Sequence, residues 1–458
     1  MAEFRLKKGY DIPIAGHAQR TLKELPEPGR VAVLPYEFPG IKLRLLVHEG
    51  DRVKQGTPLL QNKEDERIVI VSPLSGKILR INRGERRKLL EVVIENDGKH
   101  EKETIPVDTD LTNPDRQALV QKILSAGLWP YIIQRPFTKI ANPDDVPRDI
   151  FISGMATAPL AADPNFLLEG QQENFQLGVD ILSKLTDGKI YLSLDGRKNV
   201  HQSETFLQVN GVEPHFFSGP HPAGNVGIQI HHIKPLNIGE KVWQIQPYAV
   251  AMIGQFFKQG YFPNQRIVSV AGTGLYERNY FKTILGSPIS TLIPEKNIAR
   301  DEVRIINGDV LTGTKTSLSG YVSFYEHLIS VIPEGKKERK LLGYFRPGLK
   351  MISFSHTFLS TWLGTRNKEF ELDTRINGAK RAFVMSASDY ERFLPMDILP
   401  IPLAKSILAE DIEEMEGLGI LELAEEDIAL CSYACLSKTD FGQILRNGLD
   451  LIEREENL

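Results

Sequence analysis

Between Arg30 and Asn96 the sequence repeats one arrangement: a short run of β-branched and aliphatic residues, a glycine turn, then another run. VAVLP, IKLRLLVHEGDRVKQGTPLL, RIVIVSPLSGKILRINRG and KLLEVVIEND succeed one another at this spacing. Short strands punctuated so closely by turns restrict the segment to a small all-β unit.

Beyond it the pattern changes. DRQALVQKILSAGL (Asp115 to Leu128) places Leu119, Ile123 and Leu124 at helical intervals and ends on glycine, which predicts a helix. DIFISGMATAP then reads as a buried strand, NFQLGVDILSKLTDG as an amphipathic helix and KIYLSLD as another strand, an order that implies a parallel α/β layer. The loop SGMATAPLAAD lacks the G-x-G-x-x-G fingerprint of dinucleotide sites. HFFSGPHPAGNVGIQIHHIKPLNIGEKVWQIQP is expected to be a glycine- and histidine-rich connection leading into strands. His215, His221, His231 and His232 invite a metal reading, but no helical His pair with a carboxylate is evident, and turn and hydrogen-bonding roles are expected instead. From Asn264 to Gly313 the order is QRIVSVAGTGL, a helical stretch, then VRIINGDVLTG. Past about Lys350 the chain reads as helical and acidic, with Ile407, Ile412, Met415 and Leu418 at helical spacing and the carboxylates on a solvated face.

A chain of 458 residues with 41% hydrophobic content holds several domains with ordinary cores. Its 55 Lys and Arg against 59 Asp and Glu, a net charge of -4, argue against a broad basic surface for nucleic acid or anionic lipid. Cys431 and Cys435 are too few for a disulfide scaffold and suit a reducing cytoplasm; four apart on one helix, they are expected to be buried thiols rather than metal ligands. No stretch approaches about 18 uninterrupted apolar residues. The longest candidate, YAVAMIG, is flanked by Gln244, Gln246 and Gln255, so membrane association is expected to run through other subunits.

The segment SAGLWPYIIQRPFTK (Ser125 to Lys139) is apolar, aromatic and proline-stiffened, with Gly127 its one glycine. A phosphate cradle needs several glycines so that backbone N–H groups can face the anion. Trp129, Tyr131, Ile132 and Ile133 would block that approach, and the loop suits a flat, weakly polar ligand better, unless its side chains simply seal a core.

VHEGDRVKQG followed by VSPLSGKILRINRG resembles the biotinyl–lipoyl barrel sandwich. Lys63, in the context Asn62-Lys63-Glu64, departs from the carrier signature, so a structural barrel is expected. Val268 to Gly272 and Ile306 to Gly313 resemble the soluble-ligand-binding β-grasp domain. Six segments in order, LKKGYDIPIAG, QRPFTKIANPD, ISGMATAPLAADP, SGPHPAGNVGIQIHHI, RIINGDVLTG and LGILELAEEDIALCSYAC, resemble the NqrA family, one of the component families of the sodium-translocating NADH:quinone oxidoreductases. The resemblance implies a multidomain α/β plus all-β fold: an N-terminal segment packing on the α/β domain (1–28), a biotinyl–lipoyl-like barrel sandwich (29–105), a Rossmann-like α/β domain (106–255), a β-grasp domain (256–340) and a C-terminal helical domain (341–458).

Relatives of that family, a subunit of the Rnf complex and the FMN-binding subunit of respiratory complex I, hold flavin phosphates on a glycine-rich loop ending in Phe-Pro-Thr, and an iron–sulfur cluster on C-terminal cysteines. This sequence departs at both places, so neither a bound cofactor nor a metal is expected, and no catalytic residue is assigned. What the resemblance implies is a peripheral subunit on the cytoplasmic face of the bacterial inner membrane. Its partners would be the other five subunits (B to F), above all B, which lies in the membrane, with ubiquinone as substrate of the complex and no nucleic acid. An oxidoreductase component that binds NADH and FMN and a redox-inactive scaffold are the alternatives. A quinone site needs an apolar slot and one or two donors for the carbonyl oxygens. Two segments qualify: VLPYEFPGI, with Leu34, Tyr36, Phe38 and Gly40, where Tyr36 and Phe38 would flank a ring; and the Ser125–Lys139 loop, with Ile133, Arg135, Phe137 and Lys139, where Phe137 would stack and Arg135 or Lys139 donate. The competing reading has Tyr36 and Phe38 sealing the barrel and Arg135 in a surface ion pair.

Overall fold

The computed structural model describes residues 2–107, 115–198, 200–335, 352, 368–375 and 390–456. The glycine-punctuated segment forms two facing sheets. Arg30–Val33, Leu89–Asn96, Gly76–Arg83 and Arg52–Val53 make one, and Leu43–Leu45, Pro58–Asn62 and Val69–Val71 the other. Strand alternation turns Val31, Val33, Ile78, Val92 and Ile94 inward, where all are buried.

The next sheet has seven strands, in the order Glu3–Arg5, Glu213–Ser218, Ile190–Asp195, Ile150–Ser153, Val242–Gln244, Ile133–Arg135, Lys139–Ile140. The first five run parallel, and the final hairpin is antiparallel. Helices Gln172–Leu182 and Pro247–Gln259 pack backbone to backbone: a Cβ on Gly178 would lie 2.0 Å from the Val250 carbonyl oxygen, and one on Gly254 1.8 Å from that of Asn174.

Two local expectations fail here. VGIQIHHI is a helix, Val226–Ile233, rather than part of a connection. Its apolar and polar residues nearly alternate, but the parallel strands on either side need a crossover, which a helix supplies. The stretch after QRIVSVAGTGL is mostly strand, Asn279–Ile284, antiparallel to Gln265–Ala271; only Ile289–Leu292 is α-helical. NYFKTI is buried on both faces, which suits aromatic and β-branched residues in a central strand.

The third sheet has the order Thr314–Thr316, Val303–Asn307, Leu328–Pro333, Gln265–Ala271, Asn279–Ile284, Gln19–Glu24. The segment 1–28 therefore divides, with Glu3–Arg5 on the α/β sheet and Gln19–Glu24 on this one. The expected boundary at 255/256 cuts helix Pro247–Gln259. In the C-terminal unit, helices Pro400–Leu408, Ile412–Gly417, Ala429–Ala434 and Phe441–Glu456 enclose Leu403, Ile407, Met415, Leu445 and Leu449. Most of the expected 341–458 unit before residue 390 lies outside the described residues.

One apolar core runs from the barrel through the α/β layer to Leu285 and Phe324. Arg67 at the end of the Lys63 turn also makes a bidentate pair with Asp144, at 2.8 and 2.7 Å. A carrier domain must travel between sites, and this barrel shares its core with its neighbours. Among the described residues no helix is long and apolar enough to cross a membrane.

Candidate functional site

The two candidate segments meet. Pro35–Glu37 forms a 3-10 turn, and Gly40, at φ 73°, turns the chain against Lys139. A Cβ on Gly40 would lie 2.4 Å from the Lys139 Cγ, so this contact uses both the left-handed backbone and the missing side chain. Strand Ile133–Arg135 pairs with Val242–Gln244, which sets Ile133 opposite Gln244. Between these elements lies a cavity of about 500 Å³ whose wall comes from all four units: Glu37 and Gly40 from the barrel, Ile133, Thr138, Lys139, Gln244 and Gln246 from the α/β layer, Tyr325 beside the third sheet, and Glu425, Arg446 and Asp450 from the C-terminal helices. That volume is in the range of small-molecule sites.

Charge in the wall is arranged in pairs. Lys139 is ion-paired with Glu453. Arg446 donates to both Glu425 oxygens, at 2.6 and 3.0 Å, and to the Phe137 carbonyl at 3.0 Å. Burial pushes the Glu425 carboxyl up, but the Arg446 hydrogen bond and charge outweigh it and hold it below the ordinary value. Glu37 is the exception. Burial lifts it to about 7, although it accepts the Phe324 N–H at 2.8 Å, so near neutrality it is partly protonated and able to donate.

Behind the cavity, Arg266 is 1% exposed; its Nη1 meets His327 Nε2 at 2.8 Å and its Nη2 donates to the Tyr131 hydroxyl at 3.0 Å. His327 Nδ1 lies 2.8 Å from the Ile267 carbonyl, which makes Nδ1 the donor and Nε2 the acceptor facing Arg266. Burial depresses His327 well below the ordinary imidazole range, consistent with the neutral ring. Tyr131 stacks on Phe324 at 4.3 Å, and Trp129 and Ile132 are buried. This half of the aromatic loop seals a core.

Of the expected site residues, Gly40, Ile133 and Lys139 line the cavity, and the others go elsewhere. Leu34 is buried with Ala32, Val93 and Tyr321. Tyr36 is 44% exposed, while Phe38 is buried edge-on against Phe324 at 4.8 Å, so the two do not flank a common slot. Phe137, at φ 74°, packs on the C-terminal helical core. Arg135 makes ion pairs from a buried position: it is 1% exposed, with Nε donating to Gln244 at 2.9 Å, Nη2 to the partly exposed Glu426 at 3.3 Å, and Nη1 3.5 Å from the fully buried Asp427. Burial raises both carboxyls, and Arg135 opposes the rise. Within the acidic run Glu425–Asp427, Asp427 is thus turned fully inward, while Glu425 and Glu426 pair with arginines and stay partly solvated. The run's apolar flanks, LELA before and IALC after, were the available signal, as was Glu37 between the two aromatics of VLPYEFPGI.

The histidines have separate partners. His231, on helix Val226–Ile233, meets the Glu422 carboxylate at 2.9 Å, a helical histidine–carboxylate contact the sequence did not show. His232 meets the Pro395 carbonyl at 2.8 Å and His221 the Thr157 hydroxyl at 3.1 Å. Among the described residues no three His, Cys, Asp or Glu side chains are grouped to hold a metal. Cys431 and Cys435 are buried thiols. Burial pushes Cys431 up to about 12. At Cys435, which caps its helix, burial acts the same way, but the Tyr390 hydroxyl at 3.2 Å and other donors outweigh it and lower the thiol.

Glu326 adds a pH dependence. Burial, then Asp309, Glu37 and Glu426, lift it to about 8, with Arg266 opposing. The folded chain then keeps a proton that the unfolded chain loses above the ordinary value of 4.5, so this stability is present at low pH and lost as pH climbs to about 8. Glu326→Gln is expected to raise the apparent melting temperature by a few degrees at about pH 8.5, on the order of 1–2 kcal/mol, and to change it little near pH 5. Equal shifts at both pH values would contradict this.

With the geometry in place, three domain families match in order: NqrA N-terminal barrel-sandwich hybrid domain (residues 4–97), NqrA second alpha/beta domain (114–262) and NQRA C-terminal domain (267–317). The A subunit of the Na(+)-translocating NADH-quinone reductase of Yersinia pestis bv. Antiqua (strain Angola) is 39% identical over 456 residues, covering 98% of this chain and 99% of its own. The chain belongs to this NqrA family. The corresponding protein of Psychromonas ingrahamii is 38% identical over 453 residues, with the same coverage. A solved NAD+-reducing [NiFe]-hydrogenase in the H2-reduced state is 11% identical with a TM-score of 0.39; the likeness spans 74% of this chain and 61% of the hydrogenase chain and is too slight to bear on the site. In this member of the NqrA family, two of the six segments that carry the resemblance, QRPFTKIANPD and LGILELAEEDIALCSYAC, meet at the cavity through Lys139 and Glu425.

Proposed function

We propose that this member of the NqrA family is the peripheral quinone-binding subunit of a sodium-translocating NADH:quinone reductase complex, and that the cavity beside Lys139 takes the quinone headgroup. The complex couples electron transfer from NADH to ubiquinone with sodium export. In this reading the protein sits on the cytoplasmic face of the inner membrane against the other five subunits, chiefly the membrane-embedded B component, and carries no cofactor of its own.

The observation that supports the reading is the convergence of Gly40, Ile133 and Lys139 on one cavity of suitable size. Ile133 and the Tyr325 ring offer apolar contact. The Lys139 ammonium has three donors, and Glu453 leaves others for a carbonyl oxygen. Partly protonated Glu37 is a second donor. As charge grows on the quinone oxygens, a fixed cation beside them stabilises the reduced form more than the oxidised one.

The test is titration of the purified chain with a ubiquinone analogue. Lys139→Ala is expected to weaken binding about 10- to 100-fold, the range for a charged hydrogen bond, and Ile133→Trp to block the cavity. The wild-type protein should be colourless. A stoichiometric bound flavin, or unchanged affinity in both variants, would overturn the proposal.

A further inference from the structure

We propose that the hairpin formed by Gly76–Arg83 and Leu89–Asn96 is a docking arm for an anionic lipid surface, with its cationic turn on the phosphates and Leu90 at the headgroup boundary. This inference is independent of the quinone reading.

These two strands, eight residues each, are the longest among the described residues, and they outrun their neighbours. Arg30–Val33 pairs only with Val92 to Glu95, and Arg52–Val53 only with Gly76 and Lys77. From about Arg80 to Glu91 the strands pair only with each other, so the turn projects from the barrel. That turn reads RGERRK: Arg83, Arg86, Arg87 and Lys88 against the single carboxylate of Glu85, all exposed.

Elsewhere many lysines and arginines face carboxylates, as in Lys23–Glu277, Lys42–Glu64 and Arg304–Glu334. No ion pair is found for these four cations among the described residues; the Arg83 guanidinium reaches only the Arg87 carbonyl, at 3.3 Å. Two further carboxylates lie along the hairpin, Glu49 accepting the Ile81 N–H at 2.8 Å and Glu91 the Asn82 amide, and neither is ion-paired with the cations of the turn. The excess positive charge is therefore local, in a chain whose net charge is -4.

Beside the turn, Leu90 is 38% exposed and lies over Gly84. Arginine and lysine beside an exposed leucine match the interface of an anionic bilayer, where phosphates meet the acyl boundary. A nucleic acid would need cations spread along a backbone track, which a six-residue turn does not provide.

The experiment is flotation of the full chain with vesicles of phosphatidylcholine alone or with about 30% phosphatidylglycerol, at low and high salt. The wild type is expected to float only with the anionic vesicles and to be released by salt, as polybasic contacts are. Arg86→Glu with Arg87→Glu and Lys88→Glu should cut partitioning at least tenfold with an unchanged circular dichroism spectrum, and Leu90→Ser should weaken it further. The proposal fails if the wild type ignores anionic vesicles or the charge-reversed protein floats equally well. It also fails if the arm captures a polyglutamate peptide but no vesicle, which would make the partner an acidic protein.

Discussion

Replacing Arg135 by alanine is expected to destabilise the protein by about 3 kcal/mol, because it strands the buried Asp427 carboxylate away from water. The guanidinium is the cation facing both Asp427, whose side chain is fully buried, and Glu426, and its Nε also satisfies Gln244. An apparent melting temperature lower by on the order of 10 °C should follow. The loss should itself depend on pH. Both carboxyls are already raised by burial, and without Arg135 they rise further. A folded-state carboxyl with a raised value favours the folded chain at low pH and weighs against it as pH climbs, so the penalty should be largest near pH 8 and smallest near pH 5. Asp427→Asn in the Arg135→Ala background should recover part of the loss. A penalty identical at both pH values would show that packing, not charge, carries the effect.

A second large effect is expected at Gly254→Ala, which should cost about 3 kcal/mol, the upper end of the usual overpacking range. The added Cβ would lie 1.8 Å from the Asn174 carbonyl oxygen and 2.8 Å from the Gly178 nitrogen, both backbone atoms that no rotamer change can move. Helices Pro247–Gln259 and Gln172–Leu182 would have to separate, opening the core around Val179, Val250 and Ile253. Alanine stabilises an isolated helix relative to glycine by about 1 kcal/mol, so the sign of the result separates the two influences. Gly417→Ala provides the control: nothing lies within 4 Å of a Cβ there, and the change should be neutral or mildly stabilising. Denaturant unfolding of both variants checks the pair, and a stable Gly254→Ala protein would mean the helices do not touch as described.

How much of this was legible depended on how local each signal was. The barrel strands announce themselves by runs and glycine turns within a few residues, and two of the parallel strands, Ile150–Ser153 and Ile190–Asp195, by short, mostly apolar stretches, whereas Glu3–Arg5 and Glu213–Ser218 carry too few apolar residues to stand out. VGIQIHHI and NYFKTI misled because eight or six residues cannot separate alternation from helical spacing when their neighbours bury both faces. At the site, two segments were legible as unusual, and Gly40, Ile133 and Lys139 lie on the cavity. Tyr36 and Phe38 show the limit of composition alone: neighbours in sequence, one faces solvent and the other Phe324. Glu425, Arg446 and Tyr325 could not be assigned, because nothing near them in sequence marks their place on the wall.

What the sequence by itself determined was the kind of element at most positions, the order of the domains, the family, and the absence of a glycine cradle between Ser125 and Lys139. Strand period, turn chemistry and the segments that carry the family resemblance all lie within short stretches of chain. Which charges are buried was decided only by the tertiary structure. Arg135 and Asp427 lie far apart in sequence, and the desolvation that makes their pairing matter exists only once the α/β layer and the C-terminal helices close over both.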